Sequence, residues 1–149
     1  MKRINHYKKL FSVENEIDLK ILKTTYRNLV KEWHPDKFQE GDSNRKLAEV
    51  QSQEIINGYH FLVSIAPETI AASSKSYNET ITKSSIASYF HKGLLLEITF
   101  LDGNTYEYFG VTKSIYVKMI NSNKLNRFAK RTIYPKHLYR KSKRTMHET

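Results

Sequence analysis

The strongest constraint on the fold of this chain is a proline that separates two helical patterns. Apolar residues recur at helical spacing over residues 19–33, and a second helical pattern follows over residues 47–62. Pro35 cannot continue the first helix, and it disfavours helical backbone at the residue before it. The chain must therefore turn at this point, which leaves Asp36 and Lys37 at the tip of the connection.

The tripeptide His34-Pro35-Asp36 between two antiparallel helices resembles the J-domain, the cochaperone module that activates DnaK-type chaperones. Residues 7–13, 26–29 and 55–62 are similar to the first, second and third helices of that family, so the resemblance covers about the first seventy residues. The alternative is an ordinary helical hairpin with a proline in its loop.

The J-domain resemblance implies a docking surface for a DnaK-type chaperone. By this resemblance, Asp36 is expected to pair with an arginine of the chaperone, and His34 and Pro35 to fix the loop that presents it. Basic residues of the second helix share one stripe away from the apolar stripe, which suits an acidic groove, although a solvated charged face is the alternative. The expected chaperone-binding residues are His34, Pro35, Asp36, Lys23, Arg27, Lys31 and Lys37.

The positive charge of the chain is concentrated at one end. Residues 1–110 contain 14 Lys/Arg and 14 Asp/Glu, whereas residues 111–149 contain 11 Lys/Arg and one acid, so the whole surplus of +10 lies in the last quarter. Such a block indicates a polyanion as partner, with nucleic acid ahead of a membrane surface because no apolar face accompanies it. For residues 136–149 the alternative is a disordered tail that only aids solubility.

From residue 84 onward the hydrophobic pattern changes from helical to alternating, which predicts a three-stranded antiparallel meander. We expect strands over residues 85–90, 94–101 and 105–109, with Asp102-Gly103 as a two-residue hairpin loop. That loop would put Tyr106 and Tyr108 on the face opposite Leu96, Ile98 and Phe100. A helix over residues 114–120 should cover the aliphatic face.

The second region also has a family resemblance. The strand Leu94-Leu95-Leu96-Glu97-Ile98, the stretch Tyr106-Glu107-Tyr108-Phe109-Gly110-Val111 and the pair Phe128 and Ile133 are similar to the KTSC domain. This module occurs at the end of certain lysyl-tRNA synthetases and as small bacterial proteins, and RNA binding has been suggested for it. The resemblance covers roughly residues 80–135.

Nucleic-acid binding by this region would combine aromatic stacking with phosphate contacts. Tyr106 and Tyr108 are the candidate stacking surfaces, and the alternative is that both are structural cross-strand residues under a helix. The candidate phosphate contacts are Lys113, Lys118, Lys124, Arg127, Lys130 and Arg131.

An enzymatic role finds little support in the residues. The absence of cysteine excludes disulfides, cysteine-ligated zinc, iron–sulfur ligation and thiol catalysis from this chain, and the six histidines show no metal spacing. The sequence contains neither a Gly-rich phosphate loop nor a nucleophile elbow. We therefore expect no catalytic residue, metal or cofactor, and ATP hydrolysis would belong to the chaperone.

Together these patterns predict an α+β protein with four segments. They are a helical J-domain over residues 1–70, a linker over 71–83, a KTSC-like domain over 84–135 and a disordered basic tail over 136–149. The expected function is a cytoplasmic J-domain cochaperone that its basic C-terminal domain targets to RNA or another polyanion, since no membrane span or signal peptide is evident. The alternative is an RNA-binding or protein-interaction adaptor in which the J-like segment is only structural.

Overall fold

Two compact units make up the chain in the computed structural model, which describes residues 2–142. The first unit comprises residues 2–69, and the second begins at Ile70. All regular structure of the first unit is helical, whereas the second combines helices with an antiparallel sheet. The fold class is therefore α+β, as the sequence predicts.

Three α-helices form the first unit: α1 is Lys2–Leu10, α2 is Leu19–Trp33 and α3 is Ser43–Ile65. An aspartate caps the start of each of the two longer helices. The Asp18 carboxylate accepts hydrogen bonds of 2.9 and 3.1 Å from two backbone N–H groups in the first turn of α2, and Asp42 accepts one of 2.9 Å at α3. Each cap satisfies donors that have no partner within the helix.

Helices α2 and α3 lie antiparallel. The Tyr26 and Tyr59 rings stack at 4.1 Å between centroids, and farther along α2 the Ser52 hydroxyl donates a 2.8 Å hydrogen bond to the Trp33 carbonyl. Residues later in α2 thus contact residues earlier in α3, as antiparallel helices require. The bond from Ser52 also satisfies one of the carbonyls that the end of α2 leaves without an intrahelical donor.

Helix α1 packs closely on α3 at a glycine. The Tyr7 ring lies 5.4 Å from that of Phe61, and a Cβ atom at Gly58 would be only 2.7 Å from Tyr7 Cδ1. The missing side chain at Gly58 therefore permits this approach of the two helices. The core of the unit contains Ile4, Phe11, Ile17, Leu22, Ala48, Ile55 and Leu62.

Helix α4, Pro67–Lys83, replaces the linker that the sequence predicts over residues 71–83. Tyr77 and Thr80 are buried on one side of this helix, and the Thr80 hydroxyl donates a 2.8 Å hydrogen bond to the Asp102 carboxylate. The linker prediction is therefore wrong. Only two positions of this helix are buried, so its sequence shows a weak apolar period and gives little indication of a helix.

Four strands rather than three form the sheet, in the order β1 (Ile86–Lys92), β2 (Leu95–Phe100), β3 (Thr105–Phe109) and β4 (Tyr139–Lys141), all antiparallel. Strand β4 falls within the segment 136–149 that the sequence predicts to be a disordered tail, so that prediction is wrong for residues 139–141. Its residues 143–149 lie outside the described part of the chain. A three-residue strand is too short to produce an alternating pattern, and its charged residues hide it further.

The register of the β2–β3 hairpin differs by one residue from the prediction. Three residues, 101–103, form the turn, because the Phe100 N–H donates to the Asn104 carbonyl and Gly103 takes a positive φ of 91°. Thr99 consequently pairs with Thr105 instead of Tyr106. A shift of one residue moves every side chain of β3 to the other face.

The aliphatic face of β2 is buried, as predicted, under helices that lie between β3 and β4 in the chain. These are α5 (Lys113–Ile120), α6 (Leu125–Phe128) and a π-helical turn, Ala129–Ile133. Met119 and Ile133 are fully buried in this core. Other members of the same core cluster are Leu96, Ile98, Phe100, Tyr106, Tyr108, Val111 and Ala129.

Candidate functional site

The turn after α2 has the conformation that a proline dictates. His34 ends the helix with extended backbone (φ −61°, ψ 127°), and Pro35–Lys37 forms one turn of 3-10 helix. The Lys37 N–H donates to the His34 carbonyl at 3.0 Å, which closes this turn. The bend predicted from Pro35 is therefore present.

The His34 ring holds the turn from within. Its Nδ1 atom accepts a 3.2 Å hydrogen bond from the backbone N–H of Asp36, a contact that the neutral Nε2–H tautomer fits. The Asp36 side chain is 80% exposed, and its carboxylate lies 3.6 Å from the same ring nitrogen. His34 thus orders the backbone of Asp36 while its carboxylate remains in solvent.

Basic side chains of α2 and of this turn are also in solvent. Lys23, Arg27 and Lys31 are exposed along one side of α2, and Lys37 is exposed in the turn itself. Lys31 and Lys37 are close to Asp36 in the chain, whereas Lys23 and Arg27 lie about 16 and 10 Å before His34 along the helix axis, at about 1.5 Å per residue. Such a set of side chains can bind a partner whose surface is mainly acidic and carries one cation that pairs with Asp36.

Tyr106 and Tyr108 cannot serve as stacking surfaces, so that sequence prediction is wrong. Tyr106 is 3% exposed and Tyr108 is completely buried. The Tyr108 hydroxyl shares a 3.1 Å hydrogen bond with that of Tyr77 on α4, and burial raises the pKa of both phenols. Both predicted tyrosines therefore belong to the core, which was the alternative interpretation: the three-residue turn puts them on the face of Leu96 and Ile98, and all five residues of β3 are buried.

The six cations predicted in the same region are all exposed. Lys113 and Lys118 lie on α5, and Lys130 lines a cleft of about 430 Å³ together with Tyr77 and Tyr134. Of the predicted nucleic-acid surface, the basic residues are therefore exposed, whereas the two tyrosines are buried.

Three of the cations converge on one concavity, which we call the basic cleft. Its volume is about 440 Å³, and Lys124, Arg127 and Arg131 line it. The remaining lining residues, none of which the sequence singles out as a site, are Ser122, Asn123, Phe128 and Thr132. Three small polar side chains and one aromatic ring form no recognised sequence motif. The only sequence signal for these residues is the positive charge of their neighbours.

Histidines and carboxylates in the described residues form no group that could hold a metal ion. The rings of His91 and His137 instead contact backbone carbonyls, that of Val111 at 2.7 Å and that of Phe109 at 2.9 Å. Both histidine rings thus form hydrogen bonds with the backbone near the end of β3.

Over residues 2–142, every helix is too short or too polar to cross a membrane.

Comparison with known proteins identifies one family. A KTSC domain is found at residues 82–139, so the resemblance of the second region is confirmed. The matched range includes the start of β4, which the sequence assigns to a tail. No J-domain family matches the chain. Neither a curated protein nor a solved structure shows a significant match.

Proposed function

We propose that this protein is a J-domain cochaperone that recruits a DnaK-type chaperone and stimulates its ATP hydrolysis. The observation that carries the proposal is the exposed Asp36 carboxylate on a turn that the His34 ring holds in place. A carboxylate presented in this way can form charge-assisted hydrogen bonds with an arginine of the chaperone. ATP is bound and hydrolysed by the chaperone, and this chain supplies the docking surface.

Helix α2 supports the same proposal through its charge. Lys23, Arg27 and Lys31 face solvent along α2, the helix that leads into the turn, and they would approach an acidic groove. Complementary charges of this kind raise the rate of encounter and fix the orientation of the complex. The basic side chains would therefore guide docking, and Asp36 would make the contact that triggers hydrolysis.

The second unit would hold the cochaperone on RNA or another polyanion. Residues 111–142 contain nine Lys/Arg and no Asp/Glu, and all of these cations except Arg140 are exposed. A surface with this composition attracts a polyanion regardless of its sequence. Binding there would concentrate chaperone activity near the molecule that the second unit holds.

Steady-state ATPase measurement of a DnaK-type chaperone from the same organism tests the cochaperone role. We expect His34→Gln to weaken the stimulation by at least about tenfold, or roughly 1.4 kcal/mol, because glutamine cannot supply the rigid ring nitrogen that orders Asp36. Asp36→Asn should have the same effect by removing the charge.

Two matched variants control for the chemistry of these changes. His60→Gln alters an exposed histidine on α3, and Glu40→Gln removes an exposed carboxylate four residues after Asp36. Both should stimulate like the wild type. Equal stimulation by the wild type and His34→Gln, or none by either, rejects the cochaperone role.

A further inference from the structure

We propose that the basic cleft binds the sugar–phosphate backbone of a single-stranded nucleic acid, an inference that rests on the polyanion role proposed for the second unit. The proposal assigns three phosphate contacts, one each to Lys124, Arg127 and Arg131. It thus replaces the recognition by Tyr106 and Tyr108 that the sequence suggested with recognition of the backbone.

The spacing of the three cations suits neighbouring phosphates on one strand. Lys124 precedes Arg127 by three residues, and Arg131 follows it by four, so all three lie on one side of α6 and the π-helical turn. Side chains four residues apart on a helix start about 5–6 Å from each other. The two guanidinium groups can each form paired hydrogen bonds with phosphate oxygens.

Nothing in the described structure neutralises the two arginines. Arg127 and Arg131 have no ion-pair partner within residues 2–142, and the sequence has no acidic residue between 111 and 142. An anion entering the cleft therefore displaces only water and counterions. Release of counterions from the nucleic acid then favours binding at low salt.

The shape and lining of the cleft favour one strand over a duplex. The cleft, about 440 Å³ in volume, lies open to solvent, so a flexible strand can bend into it, whereas the bases of a duplex are stacked and paired and cannot reach the Phe128 ring. Asn123 and Thr132 offer polar groups to the backbone, and the partly buried Phe128 ring gives an apolar wall for a sugar or base. Backbone contacts carry no direct sequence information, so the cleft should bind many sequences.

Binding of a fluorescent oligouridylate of about 12 nucleotides to the full chain, measured across a salt series, tests the proposal. Three phosphate contacts predict that log affinity falls by about 2.1 per decade of salt. The double variant Arg127→Gln, Arg131→Gln should lower this slope to about 0.7. Its affinity at 0.1 M salt should be about 25-fold weaker, taking 1 M as the reference.

The matched control is Lys75→Gln with Lys83→Gln, which removes the same charge from two exposed residues of α4 that lie outside the cleft and outside the predicted binding residues. Its affinity should stay within about threefold of the wild type, since neither lysine lines the cleft and only screened, long-range attraction to the strand is lost at 0.1 M salt. Arg127→Lys with Arg131→Lys keeps the charge and should retain the slope of about 2.1. Far-UV circular dichroism establishes that each variant is folded.

Each contrary outcome identifies what has failed. Equal losses in the Arg127/Arg131 and Lys75/Lys83 variants overturn the cleft but leave general polyanion binding by the second unit. If the wild type binds neither the oligouridylate nor anionic vesicles, both the cleft and the polyanion role of the second unit are overturned. If the wild type binds phosphatidylserine vesicles but not the oligouridylate, a lipid surface replaces nucleic acid. ATPase stimulation, which depends on the first unit, reports separately on the cochaperone role.

Discussion

The two units of this chain place their predicted functional residues in opposite ways. In the first unit, residues predicted to meet a partner, such as Asp36, Lys23 and Arg27, lie at the surface. In the second, the predicted aromatic residues Tyr106 and Tyr108 lie in the core, and only the cations are exposed. The same kind of reasoning from sequence thus located exposed residues in one unit and misplaced two in the other.

The difference arises from what determines a face in each kind of element. On a helix the exposed and buried sides follow from the 3.6-residue period, which does not depend on the neighbouring loop. On β3 the face of each side chain depends on pairing with β2, which one extra residue in the turn shifts, and all five residues of the strand are buried. Aromatic residues in a short strand therefore give weaker evidence of a binding surface than charges on a helix.

The largest effect that separates the two interpretations of the tyrosines is on stability. Tyr108→Ala should destabilise the second unit by about 3–5 kcal/mol, because it empties a fully buried site in the core. Urea unfolding measures this loss. Tyr89→Ala, at a tyrosine that is 40% exposed on β1, is the control and should cost about 1 kcal/mol or less.

A stable fold with lost RNA binding in Tyr108→Ala would restore the stacking role. It would contradict the register in which Thr99 pairs with Thr105.

A smaller effect should test β4, where the sequence predicts a disordered tail. The Arg140 guanidinium donates to the Glu107 carboxylate, and their side chains are only 12% and 7% exposed. Arg140→Ala should destabilise the second unit by about 3 kcal/mol, since it leaves a buried carboxylate without this cation. Thermal unfolding followed by circular dichroism gives the value.

Lys136→Ala removes an exposed charge from the same segment and should change stability by no more than about 0.5 kcal/mol. If Arg140→Ala were equally neutral, residues 139–141 would not contribute to the fold.

The smallest effect should come from the end of α2 in the first unit. Ser52→Ala removes the hydrogen bond to the Trp33 carbonyl and should cost about 1 kcal/mol in urea unfolding. Ser43→Ala, at an exposed serine in the first turn of α3, controls for the change of residue. A loss no larger than that of Ser43→Ala would show that Ser52 does not support the helix end next to His34.

The sequence by itself determined the features that local chemistry controls. Pro35 lacks an N–H group and has a fixed φ, so the helix had to end before it. The surplus charge of residues 111–149 is a property of composition, and the alternating pattern after residue 84 predicted β-structure. None of these depends on distant partners.

Only the tertiary structure decided the face of β3, the helical state of residues 71–83 and the pairing of β4. The first depends on a turn whose length is set by backbone hydrogen bonds across the hairpin. The other two depend on partners far along the chain, as with Thr80 and Asp102 or Arg140 and Glu107. Convergence of Lys124, Arg127 and Arg131 on one cleft likewise requires the packed α6 and π-helical turn, because a cavity exists only between folded elements.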